Sequence, residues 1–318
     1  MILYIIIFLI SFIFLSKSGV MLVKSLIKLA QFFKLSEFAI AFILMSFATS
    51  VPELFIGISS AVEKVPSFSF GDVLGANFIN ITLVIGLAAI ISGGIKAESK
   101  ISQKNFWLTF FIALLPILFA LDGVISRIDG LILIISFLFY LFRLLGEREY
   151  FPKVLNGVKI DFEIFSKIFK EIFVFLLGVL ILIASSALLV FSGKNISSLI
   201  NMDILAFSII FVALGTTLPE LTFGIRASLL KHNEMVLGNS IGSVVFNSSF
   251  IIGIVSIIEP IDIPRISIFF IIISFLLVSF LLFNLFIYTR SYISRREGFV
   301  LVFIYLFFII SQYFLQMI

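Results

Sequence analysis

Two glutamates carry the chemistry of this sequence. Glu53 and Glu220 each follow a proline directly, and each proline follows a run of hydroxyl residues: ATSVPEL at 48–54 and GTTLPEL at 215–221. Both runs lie inside long apolar segments. A carboxylate there is costly unless it faces an ion, a proton path or a partner charge. No intramembrane lysine or arginine is an evident mate, and Lys17, the nearest basic residue, has the reach to snorkel to the interface. Pro52 and Pro219 lack an amide hydrogen, so each breaks the helix and releases the carbonyl four residues earlier, on Ala48 and Gly215. Thr49 and Ser50, like Thr216 and Thr217, stand where they either cap the restarted helix or face an ion. Each run thus offers carbonyl, hydroxyl and carboxylate oxygen within a few residues, the donor set that Ca²⁺ prefers and Na⁺ also accepts. The formal charge of the two glutamates matches one divalent or two monovalent cations. A hydrogen-bonded structural pair is the plainer reading, but it does not explain why both kinks place Glu at the next position.

The two runs belong to an internal repeat. An ungapped offset of 167 carries Thr49 onto Thr216, Pro52 onto Pro219, Glu53 onto Glu220, Gly71 onto Gly238, Gly75 onto Gly242, and Asn80 onto Asn247. The second half of each copy reads GDVLGANFIN (71–80) and GNSIGSVVFN (238–247), whose spaced glycines form small-residue faces for close helix approach. That packing is expected to bring Asn80 and Asn247 toward the glutamates. Asp72 and Asn239 are read as the starts of their spans, where capping is the expected role. Asn77 faces Val244 in the repeat and is the weaker ligand candidate.

The elements that must position these residues are transmembrane helices. The chain of 318 residues is 61% apolar and 13% charged, with 42 Phe, against about 25% charge in an ordinary soluble domain. Apolar stretches of about 20 residues, long enough to cross a bilayer, recur along it. We read ten spans, at 2–30, 37–62, 70–93, 105–121, 129–145, 168–191, 201–230, 236–258, 266–288 and 299–317. The first and sixth are long and carry small or polar residues, which suits tilt or an interfacial continuation. The first does not read as a cleavable signal, since it lacks a basic n-region and a small-residue cleavage site. The longest charged connection, 146–167, separates a first five-helix repeat (1–145) from a second (168–318). Odd-numbered connections carry seventeen basic residues and even-numbered ones only Lys64, Arg127, Lys194 and Arg265. The positive-inside rule then places the odd connections in the cytoplasm and both ends of the chain outside. Five spans per half is an odd number, so the halves are inverted, a common plan for secondary transporters with a midplane site. The fold class is therefore an all-α polytopic membrane protein of two inverted five-helix repeats.

Composition also excludes. There is no cysteine, so disulfide and thiol chemistry are absent, and the single His232 cannot form a histidine metal cluster. No Walker motif is present, which argues against an ATP-driven pump. The basic residues lie in short connections, so nucleic acid is not an expected partner. Lipid and inorganic cations are. The Phe residues are assigned to packing against lipid and neighbouring helices.

The paired motifs resemble the two alpha repeats of the sodium/calcium exchanger family, within the cation/calcium antiporter superfamily and nearest to its prokaryotic members. The resemblance covers essentially the whole chain, and LDGVISRIDG at 121–130 is similar to the connection after span four in archaeal relatives. It implies spans two, three, seven and eight around the ions, with the first and sixth helices sliding to give alternating access. It implies an antiporter rather than an enzyme, with no cofactor, moving several Na⁺ for one Ca²⁺ across a prokaryotic plasma membrane as a monomer. It also implies calcium ligands at Glu53, Glu220 and the backbone oxygens of Thr49 and Thr216. Sodium ligands would fall on Ser46, Thr49, Ser50, Glu53, Asn80, Ala213, Thr216, Thr217, Glu220, Ser243 and Asn247. Two positions depart from the family: Asn247 replaces a common aspartate, and Ala76 a serine. These departures make H⁺ the alternative counter-ion. A channel or a non-transporting scaffold is the reading of a different class, and saturable counterflow would discriminate against it.

Overall fold

The structure is a computed structural model, and it describes residues 1–32, 46–97, 100–146, 162–263 and 266–315. The start of the second span, much of the 146–167 linker, and Lys34, Arg148, Lys153, Lys159 and Arg265 of the connections lie outside the described residues.

Among the described residues, ten helical rods run in the expected order. α1 is Ile2–Phe32. α2 is Ser46–Thr49 continued by Val51–Val62. α3 joins Pro66–Ile79, the π-helical turn Asn80–Val84 and Ile85–Ser92. α4 is Lys100–Phe119, α5 Arg127–Gly146 and α6 Phe162–Leu199. α7 joins Ile204–Phe207, the π segment Ser208–Val212, Ala213–Thr216 and Leu218–Leu229. α8 joins Asn233–Val245, the π segment Phe246–Ile251 and Ile252–Ile258, and is followed by α9 (Ile266–Arg290) and α10 (Arg295–Leu315). α3 and α8 begin earlier than the sequence suggests, α3 because Pro66 supplies a pre-set first turn that needs no amide hydrogen.

The repeat extends beyond the motifs. The turns after α2 and α7 both close on a left-handed lysine, Lys64 (φ 56°) and Lys231 (φ 61°), which stand 167 positions apart. Lys64 N–H donates to Ala61 O (3.1 Å) and Val65 N–H to Ser60 O (2.8 Å), and Lys231 and His232 repeat the pattern on Ser228 and Ala227 (3.0 and 2.9 Å). These crossed bonds satisfy carbonyls that a helix end would otherwise leave open. Four short strands among the described residues, unforeseen from the sequence, show how the halves meet. β1 (Gly94–Lys96) pairs antiparallel with β4 (Tyr292–Ser294), and β2 (Val124–Ile125) pairs with β3 (Ile261–Asp262). The first pair joins connections three and nine, the second connections four and eight. The offset of 167 carries β1 onto 261–263 and β2 onto 291–292, so each pair is the image of the other. One pair lies at the odd end of the bundle and one at the even end, as inverted halves require.

Burial separates a fixed centre from a peripheral pair. In α3 and α8, 78% of the most apolar window is buried within the protein, against 33% in α1 and 28% in α6. α1 and α6 pack along each other through a seven-residue repeat, the period of a left-handed helix pair. Small residues, Ser11, Ser18 and Ser25 on α1 and Gly178, Ser185 and Ser192 on α6, alternate along it with Leu15 and Leu22 and with Leu182 and Leu189. Every one of these α1 residues maps onto its α6 counterpart at the same offset. Ser18, Ser185 and Ser192 return their hydroxyls to carbonyls of their own helix at 2.7 Å, so these polar groups do not tie the pair to the core. α1 and α6 form one unit laid against the other helices. Lys17 on α1 is exposed, as snorkelling requires.

Candidate functional site

The breaks in α2 and α7 are near-identical. Ser50 has φ −86° and ψ 6°, and Thr217 φ −81° and ψ 4°, both in the sparsely used bridge region. The bend at the α7 break is 46°. Capping, one role open to these hydroxyls, does not occur. Neither Ser50 nor Thr217 makes a side-chain cap. The Thr217 hydroxyl turns back to Ala213 O (2.6 Å), and the Ser50 hydroxyl is buried without a partner. The α10 end of α3 reinforces the centre through Phe78, packed on Phe308 at 4.7 Å between ring centres.

Glu53 and Glu220 follow these breaks and are fully buried, with no hydrogen-bond partner for any of their four carboxylate oxygens. Each lies opposite the other repeat's threonine, Glu53 by Thr216 and Glu220 by Thr49, without closing a hydrogen bond. Glu53 is within electrostatic reach of Glu220 and Asp72, and Glu220 within reach of Asp72. Thr49 Oγ1 donates at 3.4 Å toward Ser46 O or Asn239 Oδ1 and lies 3.4 Å from Ser243 Oγ. Thr216 Oγ1 donates to Asp72 Oδ1 (3.0 Å) or Ala213 O (3.2 Å). The same two carbonyls also serve the backbone: Ser46 O accepts from Ser50 N–H (3.2 Å) and Ala213 O from Thr217 N–H (3.1 Å). Asn80 is fully buried and neither of its amide atoms has a partner.

The expected capping role of Asp72 and Asn239 is overturned. Each is the seventh residue of its helix, in Pro66–Ile79 and Asn233–Val245, and each is buried against the opposite repeat's motif threonine. The early start of both helices moves these side chains from an end to the centre. The sequence held one signal for this: Asp72 and Asn239 occupy equivalent positions within the repeat. Asn77 is also more engaged than its mismatch with Val244 suggests. It accepts from Asn247 Nδ2 (3.3 Å) and donates to Ser248 Oγ (2.7 Å), leaving Asn247 Oδ1 unpaired.

Close packing holds these elements in register. A methyl added at Gly71 would strike Leu205 O, and one at Gly75 would lie 2.5 Å from Ala213 Cβ and 2.7 Å from Ile209 O. The glycine face of α3 therefore lies directly on the first half of α7, as the spacing predicts. Gly19 of α1 sits between the two prolines, its added methyl 3.2 Å from Pro52 Cγ and 3.4 Å from Pro219 Cγ. Among the described residues no three of His, Cys, Asp and Glu converge as a single metal centre, so the donors are distributed over oxygens of several kinds.

The cover over the two halves is unequal. α6 packs along Val51–Val62, where Ser59 and Ser186 hydroxyls meet at 3.1 Å. On Leu218–Leu229, the equivalent stretch, Thr222 and Arg226 are exposed where Phe55 and Ser59 are half-buried. A crevice of about 470 Å³ opens here, lined by Ser16, Lys17, Met21, Lys24, Leu218 and Thr222. It reaches a residue two positions from Glu220.

Known proteins agree with this geometry. The family described as "Sodium/calcium exchanger protein" matches residues 3–146 and 170–314. The chain is similar to the sodium/calcium exchanger MaX1 of Methanosarcina acetivorans, 26% identical over 97% of this chain and 98% of the relative. It is 31% identical to the membrane protein MJ0091 of Methanocaldococcus jannaschii over 68% of this chain and 69% of that one. A solved structure of the sodium-calcium exchanger NCX_Mj, soaked with Na⁺ and Sr²⁺, superposes with a TM-score of 0.69 at 26% identity, covering 98% of each chain.

Proposed function

The chain belongs to the sodium/calcium exchanger protein family, and on that premise we propose how its residues divide the ions. It is a multi-pass membrane protein of a prokaryote and a secondary antiporter of Na⁺ and Ca²⁺ that works by alternating access, not a catalytic enzyme. Glu53 and Glu220, with the main-chain oxygens of Thr49 and Thr216, hold calcium. Sodium takes the same glutamates and threonines together with Ser46, Ser50, Asn80, Ala213, Thr217, Ser243 and Asn247. One observation carries this reading: four fully buried carboxylate oxygens at mirrored helix breaks have no hydrogen-bond partner. Buried anions in that setting require cations. Because both ions draw on the same two charges, occupancy by one displaces the other, and that exclusion is what couples their movements.

Alternating access follows from the unequal cover. The α1–α6 unit shields Val51–Val62 and leaves Leu218–Leu229 open, and sliding it along its smooth seam would exchange the two situations. The crevice lies toward connection seven, an odd connection, so in this state the site opens to the cytoplasm. Both ends of the chain are then outside. The two halves run over 1–145 and 168–318, joined by a cytoplasmic linker at 146–167, and one chain holds every donor of the site, so a monomer transports.

The test is uptake of radiolabelled Ca²⁺ into proteoliposomes loaded with Na⁺, compared with choline loading and with an imposed pH gradient. Sodium-driven uptake, lost in Glu53→Gln, is the expected result. Uptake driven by the pH gradient alone would replace Na⁺ by H⁺, and uptake that persists in Glu53→Gln would remove the shared site.

A further inference from the structure

Asp72 has no part in the ligand set above, yet its place in the fold is hard to reconcile with a structural role. It is fully buried in the most enclosed part of α3, against Thr216 of the opposite half's glutamate motif (3.0 Å). One oxygen accepts from Thr216, and Oδ2 has no partner. Among the described residues no lysine or arginine forms an ion pair with it. Its repeat mate Asn239 occupies the same position with the same threonine contact and no charge, so the packing there does not require a carboxylate. Buried, unpaired polar atoms of Asn80 and Asn247 stand in the same helices.

We propose that Asp72 is a third carboxylate of the ion site, and that it sets how many sodium ions exchange for each calcium. The proposal rests on the antiporter reading above and deepens it. With Glu53 and Glu220 alone the site carries a formal charge of −2, which two sodium ions or one calcium ion balance, and exchange moves no net charge. With Asp72 the formal charge is −3, which three sodium ions balance. Exchange of three Na⁺ for one Ca²⁺ then moves one net charge per cycle. The three acids do not converge on a point, so Asp72 serves a sodium position beside the calcium site rather than the calcium itself. Asn247, in the opposite half, has a buried amide oxygen without a partner and offers a second position for such a charge. Asp72 supplies that charge from the first half, on the facing helix.

The experiment is voltage dependence of sodium-driven Ca²⁺ uptake in proteoliposomes clamped with a K⁺ gradient and valinomycin. The wild-type protein is expected to respond to voltage. Asp72→Asn, which keeps the acceptor for Thr216, is expected to go on exchanging but without voltage dependence. Moving the charge in Asp72→Asn with Asn247→Asp is expected to restore the response, which a merely structural role would not do. Asp72→Asn with wild-type voltage dependence overturns the proposal, as does a double variant that stays voltage-insensitive. Should Asp72→Asn fail to fold, Asp72→Glu carries the test. It is expected to keep voltage dependence and to shift the sodium half-saturation by about tenfold or more, and an unchanged half-saturation overturns the proposal. A wild-type protein without sodium-driven uptake would instead sink the antiporter reading itself, so the two failures are distinct.

Discussion

Replacing Gly75 by alanine tests whether helix spacing, rather than ligand identity alone, sets sodium binding. The added Cβ would stand 2.5 Å from Ala213 Cβ, where ordinary contact begins at 3.4 Å, so about 0.9 Å must be found between α3 and α7. The obstacles are a neighbouring Cβ and the backbone of Ile209, and neither swings aside as the end of a long side chain would. Overpacking of this kind costs about 1–3 kcal/mol. The displaced residue, Ala213, lends its carbonyl to Thr216 and Thr217 and is a proposed sodium ligand. A misplacement of about 1 Å in a preorganised site costs on the order of a hundredfold in performance. Gly75→Ala is therefore expected to raise the sodium half-saturation between about tenfold and a hundredfold. Calcium half-saturation should move less, because the carboxylates that dominate it have rotatable side chains. The assay is the sodium dependence of radiolabelled Ca²⁺ uptake, with thermal melting of the purified protein alongside. Gly93→Ala is the control. It has φ +84° and nothing within 4 Å of an added methyl, so it strains one turn without parting two helices. Unchanged sodium dependence and melting in Gly75→Ala would refute the idea that this contact holds the site.

Two further outcomes follow from the unequal cover and the seam. The chain has no native cysteine, so Thr222→Cys should react with a membrane-impermeant thiol reagent applied from the side of connection seven, while Phe55→Cys should be slow from either side; equal labelling of both would contradict the one-sided crevice. Ser185→Leu inserts bulk into the α1–α6 seam at a position 4% exposed, and exchange turnover should fall about tenfold or more with ion half-saturation little changed. A variant with normal turnover would show that the seam is not what moves.

The glutamates, the helix breaks and the inversion were legible in the sequence because each is a local or periodic property. Pro52 and Pro219 break helices wherever they stand, Glu53 and Glu220 are costly in any apolar span, and an ungapped offset of 167 is visible without coordinates. The serine seam of α1 and α6 was legible by the same offset, yet its residues are chemically plain, and only their apposition shows that they form a surface. Other features belonged to the tertiary structure alone. Asp72 looks like a capping residue because the apolar span reads as starting at 70; helix initiation at Pro66 puts it at the centre, and only packing places Thr216 of the other half against it. The two strand pairs join connections far apart in the chain, so no local pattern predicts them. The direction in which the site opens is also a tertiary fact. The repeats are nearly equivalent in sequence, and their inequality arises only from where the α1–α6 unit rests, closing Val51–Val62 and exposing Thr222.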